Sequence, residues 1–237
     1  SQYLLDADKI YLAEAKLGLA TDTGDATGQI TAHNHAINLP DGSLETACEQ
    51  MIGESKQIPP MYSALKHKGQ PLYKLARQGV DVERQPRTIH IKQIQLKSKT
   101  TDTFSFVVRC SKGTYIRTLI EDIAAKIGYY AHMTALHRTA TAGFENRVMF
   151  EYEQLAEMAN DERDNCLMPC DVAVSHFPTA NVEHEELVKL LQGQPIDWVK
   201  SKQDAIYRLY HCDQFYGLVK SQTTGKLAAL RLMANNS

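Results

Sequence analysis

The sequence of 237 residues contains few cysteines, a single tryptophan and no long hydrophobic run. Its five cysteines, at positions 48, 110, 166, 170 and 212, are odd in number and scattered, which argues against a disulfide framework and indicates a reducing compartment. No apolar stretch approaches the roughly 20 residues that a membrane-spanning helix needs. Cys166 and Cys170 have no second matching pair, so we expect no metal site. These absences predict a cytoplasmic protein that neither enters a membrane nor binds a metal.

The chain also lacks the net positive charge that often marks a protein that binds nucleic acid. Its formal charge is −2, but that charge is unevenly distributed. Residues 66–92 contain seven basic and two acidic side chains, a local charge of +5, whereas residues 145–171 contain two basic and eight acidic side chains, a local charge of −6. A nearly neutral total can therefore hide one basic face.

What the sequence does contain is a sharp transition from a strand to a helix within residues 104–128. Apolar residues alternate up to Cys110 and then recur at helical spacing from Ile116, with Gly128 where a C-terminal cap belongs. If the chain is still extended after Gly113, Tyr115 and Arg117 share one face at the end of the strand. Alternatively, Tyr115 belongs to the core and Arg117 is an exposed charge on the first helical turn.

Other segments predict further strands, and near the C-terminus the pattern changes to short strands. Residues 10–17 and 29–32 indicate two strands around a turn, whose Asp22 and Asp25 are explained by bonds from side chain to backbone. Residues 88–96 predict a strand with a bulge near Gln93, and residues 132–141 predict another, with Leu136 as a core residue. From about residue 176, short strands joined by glycine-containing turns predict a small β-rich module, so we expect domains at 1–175 and 176–237.

The stretch from Ile58 to Gly79 interleaves two tyrosines with four cations. The tyrosines are Tyr62 and Tyr73, and the cations are Lys66, Lys68, Lys74 and Arg77. Such a composition suits a surface that binds phosphates and stacks bases. It is equally typical of a solvated basic face with two tyrosines packed beneath it.

Five motifs in this order carry a resemblance to a known family. They read KIY at 9–11, TDTGDATG at 21–28, IPPMYSALKHKGQPLYKLARQG at 58–79, CSKGTYIRTLIEDI at 110–123 and AHMTALHR at 131–138. Over about residues 1–175 the chain resembles the bacterial TruB-type tRNA pseudouridine synthases. The C-terminal part is similar, more weakly, to the PUA-like domain that follows in that family.

The resemblance implies an α+β fold with a mixed, largely antiparallel sheet carrying helices, plus a small C-terminal PUA-like β-module. It implies an isomerase that converts uridine 55 in the T loop of tRNA to pseudouridine without a cofactor or metal. The expected partner is the T arm of tRNA. The complete enzyme is expected to be a cytoplasmic monomer.

The resemblance also assigns roles to individual residues. Tyr11 resembles the tyrosine that stacks on the flipped base and helps to remove its C5 proton. Tyr115 resembles a second residue of the uridine pocket, Arg117 the arginine that pairs with the catalytic carboxylate, and Leu136 the apolar wall of the pocket. For binding the RNA backbone we expect the four cations Lys66, Lys68, Lys74 and Arg77.

One departure from the family concerns the nucleophile, an aspartate followed by proline. None of the fourteen aspartates in this chain precedes a proline. The sequence opens at Ser1 without methionine, and we expect a longer chain whose upstream segment carries that aspartate. The 237 residues alone are then expected to be inactive, with Arg117 unpaired. The alternatives are a non-catalytic RNA-binding or tRNA-folding protein and a generic α+β domain.

Overall fold

The structure is a computed structural model that describes residues 2–141, 144–145, 147–198 and 204–233. The chain divides into two compact units. One unit spans residues 5–141, and the other contains the rest of the described chain. The boundary expected between residues 175 and 176 stays a prediction.

The elements of the first part of the chain, in order, are α1 (Gln2–Leu5), β1 (Lys9–Leu17), β2 (Leu19–Thr21), β3 (Ile30–His33), α2 (Ser43–Glu49), β4 (Gly53–Gln57), β5 (Lys66–His67), β6 (Gln70–Pro71), α3 (Leu72–Arg77), β7 (Arg87–Lys99), β8 (Thr103–Cys110), α4 (Ile116–Lys126) and β9 (Ala131–Thr141). The later elements are α5 (Tyr152–Glu157), α6 (Asn160–Asn165), a 3-10 helix (Cys170–Val174), β10 (Thr179–Asn181), α7 (His184–Leu191), β11 (Ile196–Asp197), β12 (Ile206–His211), β13 (Gln214–Ser221) and β14 (Lys226–Leu232).

A five-stranded antiparallel sheet in the order β4-β7-β8-β1-β9 forms the centre of the first unit. The alternating residues Phe104, Phe106 and Val108 of β8 are fully buried, as period-2 patterning requires when one face of a sheet is covered. Helix α4 buries Leu119 and Ile120 in the same core cluster, and α2 adds Leu44. The predicted bulge is present, because the pairing of β7 with β8 shifts register between Ile91 and Gln93.

The predicted transition from strand to helix is confirmed, with one correction. Tyr115 is extended (φ −97°, ψ 112°), but helix α4 begins at Ile116. Arg117 therefore lies on the first helical turn, and the premise that the chain is still extended through Arg117 is wrong. Gly128 follows the helix at φ 80°, and the Tyr129 N–H closes the end by donating to the Ala124 carbonyl at 3.0 Å.

The second unit contains a five-stranded sheet in the order β10-β12-β13-β14-β11. Its pairs are antiparallel except for β10 with β12, which is parallel. Helix α7 packs Leu187 and Leu190 against Leu209, Val219 and Leu227 of this sheet. The sheet fits the predicted PUA-like module, and the two sheets together confirm the predicted mixed, largely antiparallel α+β class.

No described helix is both long and apolar enough to cross a membrane.

Candidate functional site

The candidate site is organised around the guanidinium of Arg117. Its Nη1 donates to the Thr23 carbonyl at 2.8 Å and to Oδ2 of Asp25 at 3.1 Å. Its Nη2 donates to the Tyr62 carbonyl at 2.5 Å. The Arg117 side chain is only 19% exposed and that of Asp25 23%, so the charge pair is largely removed from water.

This geometry overturns two expectations for Arg117. The residue is neither an exposed charge nor unpaired within these 237 residues, because Asp25 provides its counter-ion. The prediction that Asp25 forms bonds only within its own loop is incomplete, because Asp25 also pairs with Arg117. A charge at this depth requires an anion and aligned acceptors, since burial without them is strongly unfavourable.

The loop of residues 21–28 owes its shape to its own polar side chains. Thr21 Oγ1 donates to the Asp25 carbonyl at 2.8 Å, and the N–H of Gln29 donates to Oδ1 of Asp22 at 2.8 Å. Gly24 has φ 72°, and a Cβ at this position would lie 3.0 Å from Oε1 of Glu121. Glycine therefore meets both the turn geometry and the close approach of α4. Asp22 behaves as predicted, as a residue that shapes the loop.

Asp25 is held as an anion. Its Oδ1 accepts from the Thr27 hydroxyl at 2.6 Å and from the Thr23 hydroxyl at 2.8 Å. Burial by itself would raise the pKa of the Asp25 carboxyl, but the hydrogen bonds from Thr27 and Thr23 and the charge of Arg117 together hold that pKa below its ordinary value. Both carboxylate oxygens are therefore engaged by donors.

The same loop is attached to strand β9. The Ala26 N–H donates to the Met133 carbonyl at 2.9 Å, and the Met133 N–H donates to the Gly24 carbonyl at 3.0 Å. Arg117 and Asp25 are thus tied to the strand that carries Leu136. Because these bonds use backbone groups, they set the position of the loop largely independently of its side chains.

Tyr11 and Leu136 lie on the neighbouring strands β1 and β9. The register places Tyr11 opposite Arg138 and Ala13 opposite Leu136, so these four side chains share one face. Leu136 is 43% exposed, so its interpretation as an ordinary core residue is wrong. An apolar side chain at the open margin of the core can still form the wall of a pocket.

The hydroxyl of Tyr11 is neutral at physiological pH. Burial raises the pKa of Tyr11 and the nearby Cys110 adds to this effect, whereas the neighbouring guanidinium of Arg138 opposes it. A neutral phenol can stack on a base. It can also relay a proton, if it accepts one proton and donates its own hydroxyl proton to another group. Arg138 lies opposite Tyr11 in the pairing of β1 with β9, and no sequence motif by itself pointed to this neighbour.

Tyr115 is held through its backbone. Its N–H donates to Oε1 of Gln57 at 2.8 Å, and its carbonyl accepts from Nε2 of the same side chain at 3.2 Å. Gln57 is the last residue of β4 and is only 3% exposed. Gln57 and Tyr115 are 58 positions apart along the chain, so no local sequence pattern could predict the contact.

The predicted basic segment forms a hairpin and a short helix. Strands β5 and β6 pair around Lys68 and Gly69, both at positive φ, and α3 follows directly. The side chains of Lys66, Lys68, Lys74 and Arg77 are all exposed. In the described part of the chain none of the four forms an ion pair. Arg77 also lies 5.6 Å from the ring centroid of Tyr73.

The structure thus brings Arg117 into direct contact with two loops, and it places Tyr11 and Leu136 on one face of adjacent strands. Among the described residues, no hydrogen bond joins Arg117 to Tyr11 or Tyr115. The same described residues contain no group of three or more His, Cys, Asp or Glu side chains arranged to hold a metal ion. The loop that pairs with the buried cation is bonded through its backbone to β9, the strand that carries Leu136.

The ion pair generates a prediction for Asp25→Asn. The variant should lower the free energy of unfolding by roughly 1–3 kcal/mol near neutral pH, because a buried guanidinium loses its anion. Because the folded-state pKa of Asp25 lies below its ordinary value, this contribution is present above about pH 4 and is lost as the pH falls through the folded pKa. Urea unfolding followed by circular dichroism measures both effects. Asp22→Asn is the control, and equal losses that do not depend on pH in the two variants would contradict the role of the pair.

Three family models match consecutive parts of this chain. The model described as TruB family pseudouridylate synthase (N terminal domain) matches residues 1–116. The model described as tRNA pseudouridylate synthase B C-terminal domain matches residues 117–175, and the one described as pseudouridine synthase II TruB, C-terminal, matches residues 178–233.

Similar proteins share both sequence and fold with the chain. A "tRNA pseudouridine synthase B" of Neisseria gonorrhoeae (strain NCCP11945) is 48% identical over 98% of this chain and 77% of that protein. A protein of the same name from Marinomonas sp. (strain MWYL1) is 43% identical over 92% of this chain and 73% of that protein. The solved structure titled "Crystal Structure of a Cbf5-Nop10-Gar1 Complex" shares the fold, with a TM-score of 0.69 at 21% identity over 98% of this chain and 67% of that one. The residues matched and the high identity over nearly the whole length show that this chain belongs to the TruB family of pseudouridylate synthases.

Proposed function

We propose that the gene product that contains this chain isomerises uridine 55 in the T loop of tRNA to pseudouridine. The observation that carries the proposal is the buried Arg117, placed beside the strands that present Tyr11 and Leu136. Relatives at 41–48% identity are named tRNA pseudouridine synthase B. In this proposal residues 1–175 form the catalytic domain and residues 176–237 a PUA-like domain.

A uridine within a folded T loop must leave its stack before its glycosidic bond can be attacked. Extrusion costs a few kcal/mol, which stacking and contacts to the base edge offset. In our proposal the ring of Tyr11 stacks on the flipped base, a contact worth roughly 1–3 kcal/mol. Leu136 forms the apolar wall of the pocket, Tyr115 contacts the uridine, and the Tyr11 hydroxyl relays the C5 proton.

The proposed reaction begins with a carboxylate that attacks the nucleotide, after which the base turns and rejoins the sugar through carbon. That carboxylate must stay ionised in an apolar pocket, and the guanidinium of Arg117 provides the charge that favours ionisation. Asp25 is poorly suited to the attack, because one of its oxygens accepts from Thr23 and Thr27 and the other from Arg117. The resemblance assigns the attack to an aspartate followed by proline, which these residues do not contain.

The proposed substrate is the T arm of a tRNA, bound partly through its phosphates. Lys66, Lys68, Lys74 and Arg77 are exposed and unpaired within the described chain, which leaves their charges available to an anionic backbone. The carbonyl of Tyr62, at the start of this segment, accepts from Arg117 and so links the basic surface to the pocket. We propose a cytoplasmic enzyme that acts as a monomer and uses no cofactor.

A second candidate function is RNA binding or tRNA folding without catalysis. It is favoured by the exposed basic segment together with the absence of an aspartate–proline pair from these residues. The two candidates differ in whether pseudouridine is formed.

The primary test uses the longest product of the gene and, separately, these 237 residues. Each is incubated with an unmodified tRNA transcript, and pseudouridine at position 55 is assayed. We expect turnover from a product that contains an aspartate followed by proline. For the 237 residues alone we expect tRNA binding without turnover, because covalent catalysis needs a nucleophile in the pocket. Turnover by the 237 residues that is lost in Asp25→Asn would show that Asp25 is the nucleophile, and an active gene product without pseudouridine at position 55 would contradict the proposed substrate.

The roles of Tyr11 and Arg117 predict losses of turnover in the longest gene product. Tyr11→Phe keeps the stacking ring but removes the hydroxyl, so tRNA affinity should stay near normal while turnover falls by roughly 10²–10⁴-fold. Arg117→Lys should also impair turnover, because an ammonium cannot reproduce the forked bonds of a guanidinium. Tyr129→Phe is the matched control, since its hydroxyl donates to the Asn38 carbonyl. Wild-type rates in Tyr11→Phe or Arg117→Lys would exclude the assigned roles.

The basic segment predicts a change in the salt dependence of tRNA binding. Replacing Lys66 and Lys68 together by glutamine should weaken binding and reduce the slope of log affinity against log salt by about one unit for each lost phosphate contact. Lys16 and Lys99 provide the control pair, because they already lie beside Asp102 and Glu45. Filter binding over a range of salt concentrations measures the slope. An unchanged slope in the first variant would identify this segment as a solvated face.

A further inference from the structure

The side chain of Gln57 makes both of its amide hydrogen bonds to the backbone of a single distant residue. Nε2 donates to the Tyr115 carbonyl at 3.2 Å, and Oε1 accepts from the Tyr115 N–H at 2.8 Å. A buried amide must satisfy its polar atoms, and this one, at 3% exposure, does so through the backbone of Tyr115. The two bonds hold the backbone of Tyr115 on both sides of its Cα, through the N–H of one peptide group and the carbonyl of the next.

Tyr115 occupies the position from which helix α4 begins. It is the N-cap residue, and no side chain of its own caps the helix. Arg117 follows two residues later on the first turn, so the backbone position of Tyr115 sets where the helix starts and the direction in which the Arg117 side chain leaves it. A shift of the first turn would move the guanidinium relative to every partner in the pocket.

The segment that begins with Gln57 also contacts the guanidinium itself. Five residues after Gln57, the carbonyl of Tyr62 accepts from Nη2 of Arg117 at 2.5 Å. Between these two contacts lie Pro59 and Pro60, whose rings restrict φ and stiffen the segment. Residues 57–62 therefore hold the helix start at two points, one on the backbone of Tyr115 and one on the side chain of Arg117.

We propose that Gln57 is a positioning residue for the isomerisation, which fixes the first turn of α4 and thereby the place of Arg117 in the pocket. The catalytic consequence of this inference rests on the proposed function, whereas the two hydrogen bonds between Gln57 and Tyr115 do not depend on it. A misplacement on the order of 1 Å in a reacting site can reduce the rate by about 10²-fold. The expected signature is a loss of kcat with little change in KM for tRNA.

Two substitutions of similar size separate positioning from packing. Gln57→Met fills the space but provides neither hydrogen bond. Gln57→Glu keeps an acceptor for the Tyr115 N–H, and its carboxyl can donate to the Tyr115 carbonyl only when it is protonated. Because burial raises the pKa of a carboxyl, the protonated form should gain population as the pH falls from about 8 to about 6. Ile89→Ala, in the core strand β7 paired with β4, is the control for lost stability alone.

The experiment measures kcat and KM for unmodified tRNA transcript with the longest product of the gene, well below each variant's melting temperature. Gln57→Met should lose about 10–100-fold in kcat, with KM within about twofold of wild type. The kcat of Gln57→Glu divided by that of wild type should rise about tenfold between about pH 8 and about pH 6, whereas the same ratio for Gln57→Met should stay flat. Ile89→Ala should keep the wild-type kcat.

A second measurement does not depend on activity. Amide hydrogen exchange of a peptide covering residues 113–119 should be faster in Gln57→Met than in wild type, and unchanged in Ile89→Ala. Wild-type kcat in Gln57→Met, an equal loss in Ile89→Ala, or a flat pH ratio for Gln57→Glu would each overturn the proposal. If the wild-type protein forms no pseudouridine, the proposed function fails, and the exchange measurement alone then decides whether Gln57 holds the start of the helix.

Discussion

A guanidinium that is largely removed from water needs an anion and aligned acceptors, and this requirement organises the candidate site. Arg117 finds its acceptors on the loop of residues 21–28 and on the segment that follows β4. Neither segment is close to α4 in sequence, so the guanidinium of Arg117 connects three distant parts of the chain. Removing the Asp25 carboxylate would leave the buried charge without its anion, which costs more than the net value of one hydrogen bond.

The antiparallel sheet brings these distant segments of the chain close to one another. Strands β1 and β9 run side by side and present Tyr11 and Leu136 on one face, while the backbone bonds of Met133 hold the loop that carries Asp25. The same face continues into the core formed with α2 and α4, so the site lies at the margin of a rigid cluster. Sites supported in this way hold their geometry better than sites built on free loops.

Two kinds of surface have different roles in the proposed function. The exposed cations of β5 and α3 suit a phosphate backbone, and their affinity for it depends on salt. The partly buried Tyr11 and the open Leu136 suit a base, whose contact area is mostly apolar. The Tyr62 carbonyl joins the two, because it belongs to the basic segment and accepts from the arginine of the pocket.

The sequence by itself predicted the strands β1, β3, β7 and β9, the bulge near Gln93 and the turn from β8 into α4, because alternation and helical spacing are local properties of the chain; it did not predict β4, which carries Gln57. Its motifs also indicated the family, since five of them in one order rarely coincide by chance. Only the tertiary structure decided that Asp25 pairs with Arg117, that Gln57 holds Tyr115 and that Leu136 stands at the open margin of the core. Those contacts join residues far apart in sequence, and the partner of a buried charge is chosen by distance and desolvation in the folded chain, which no local pattern records.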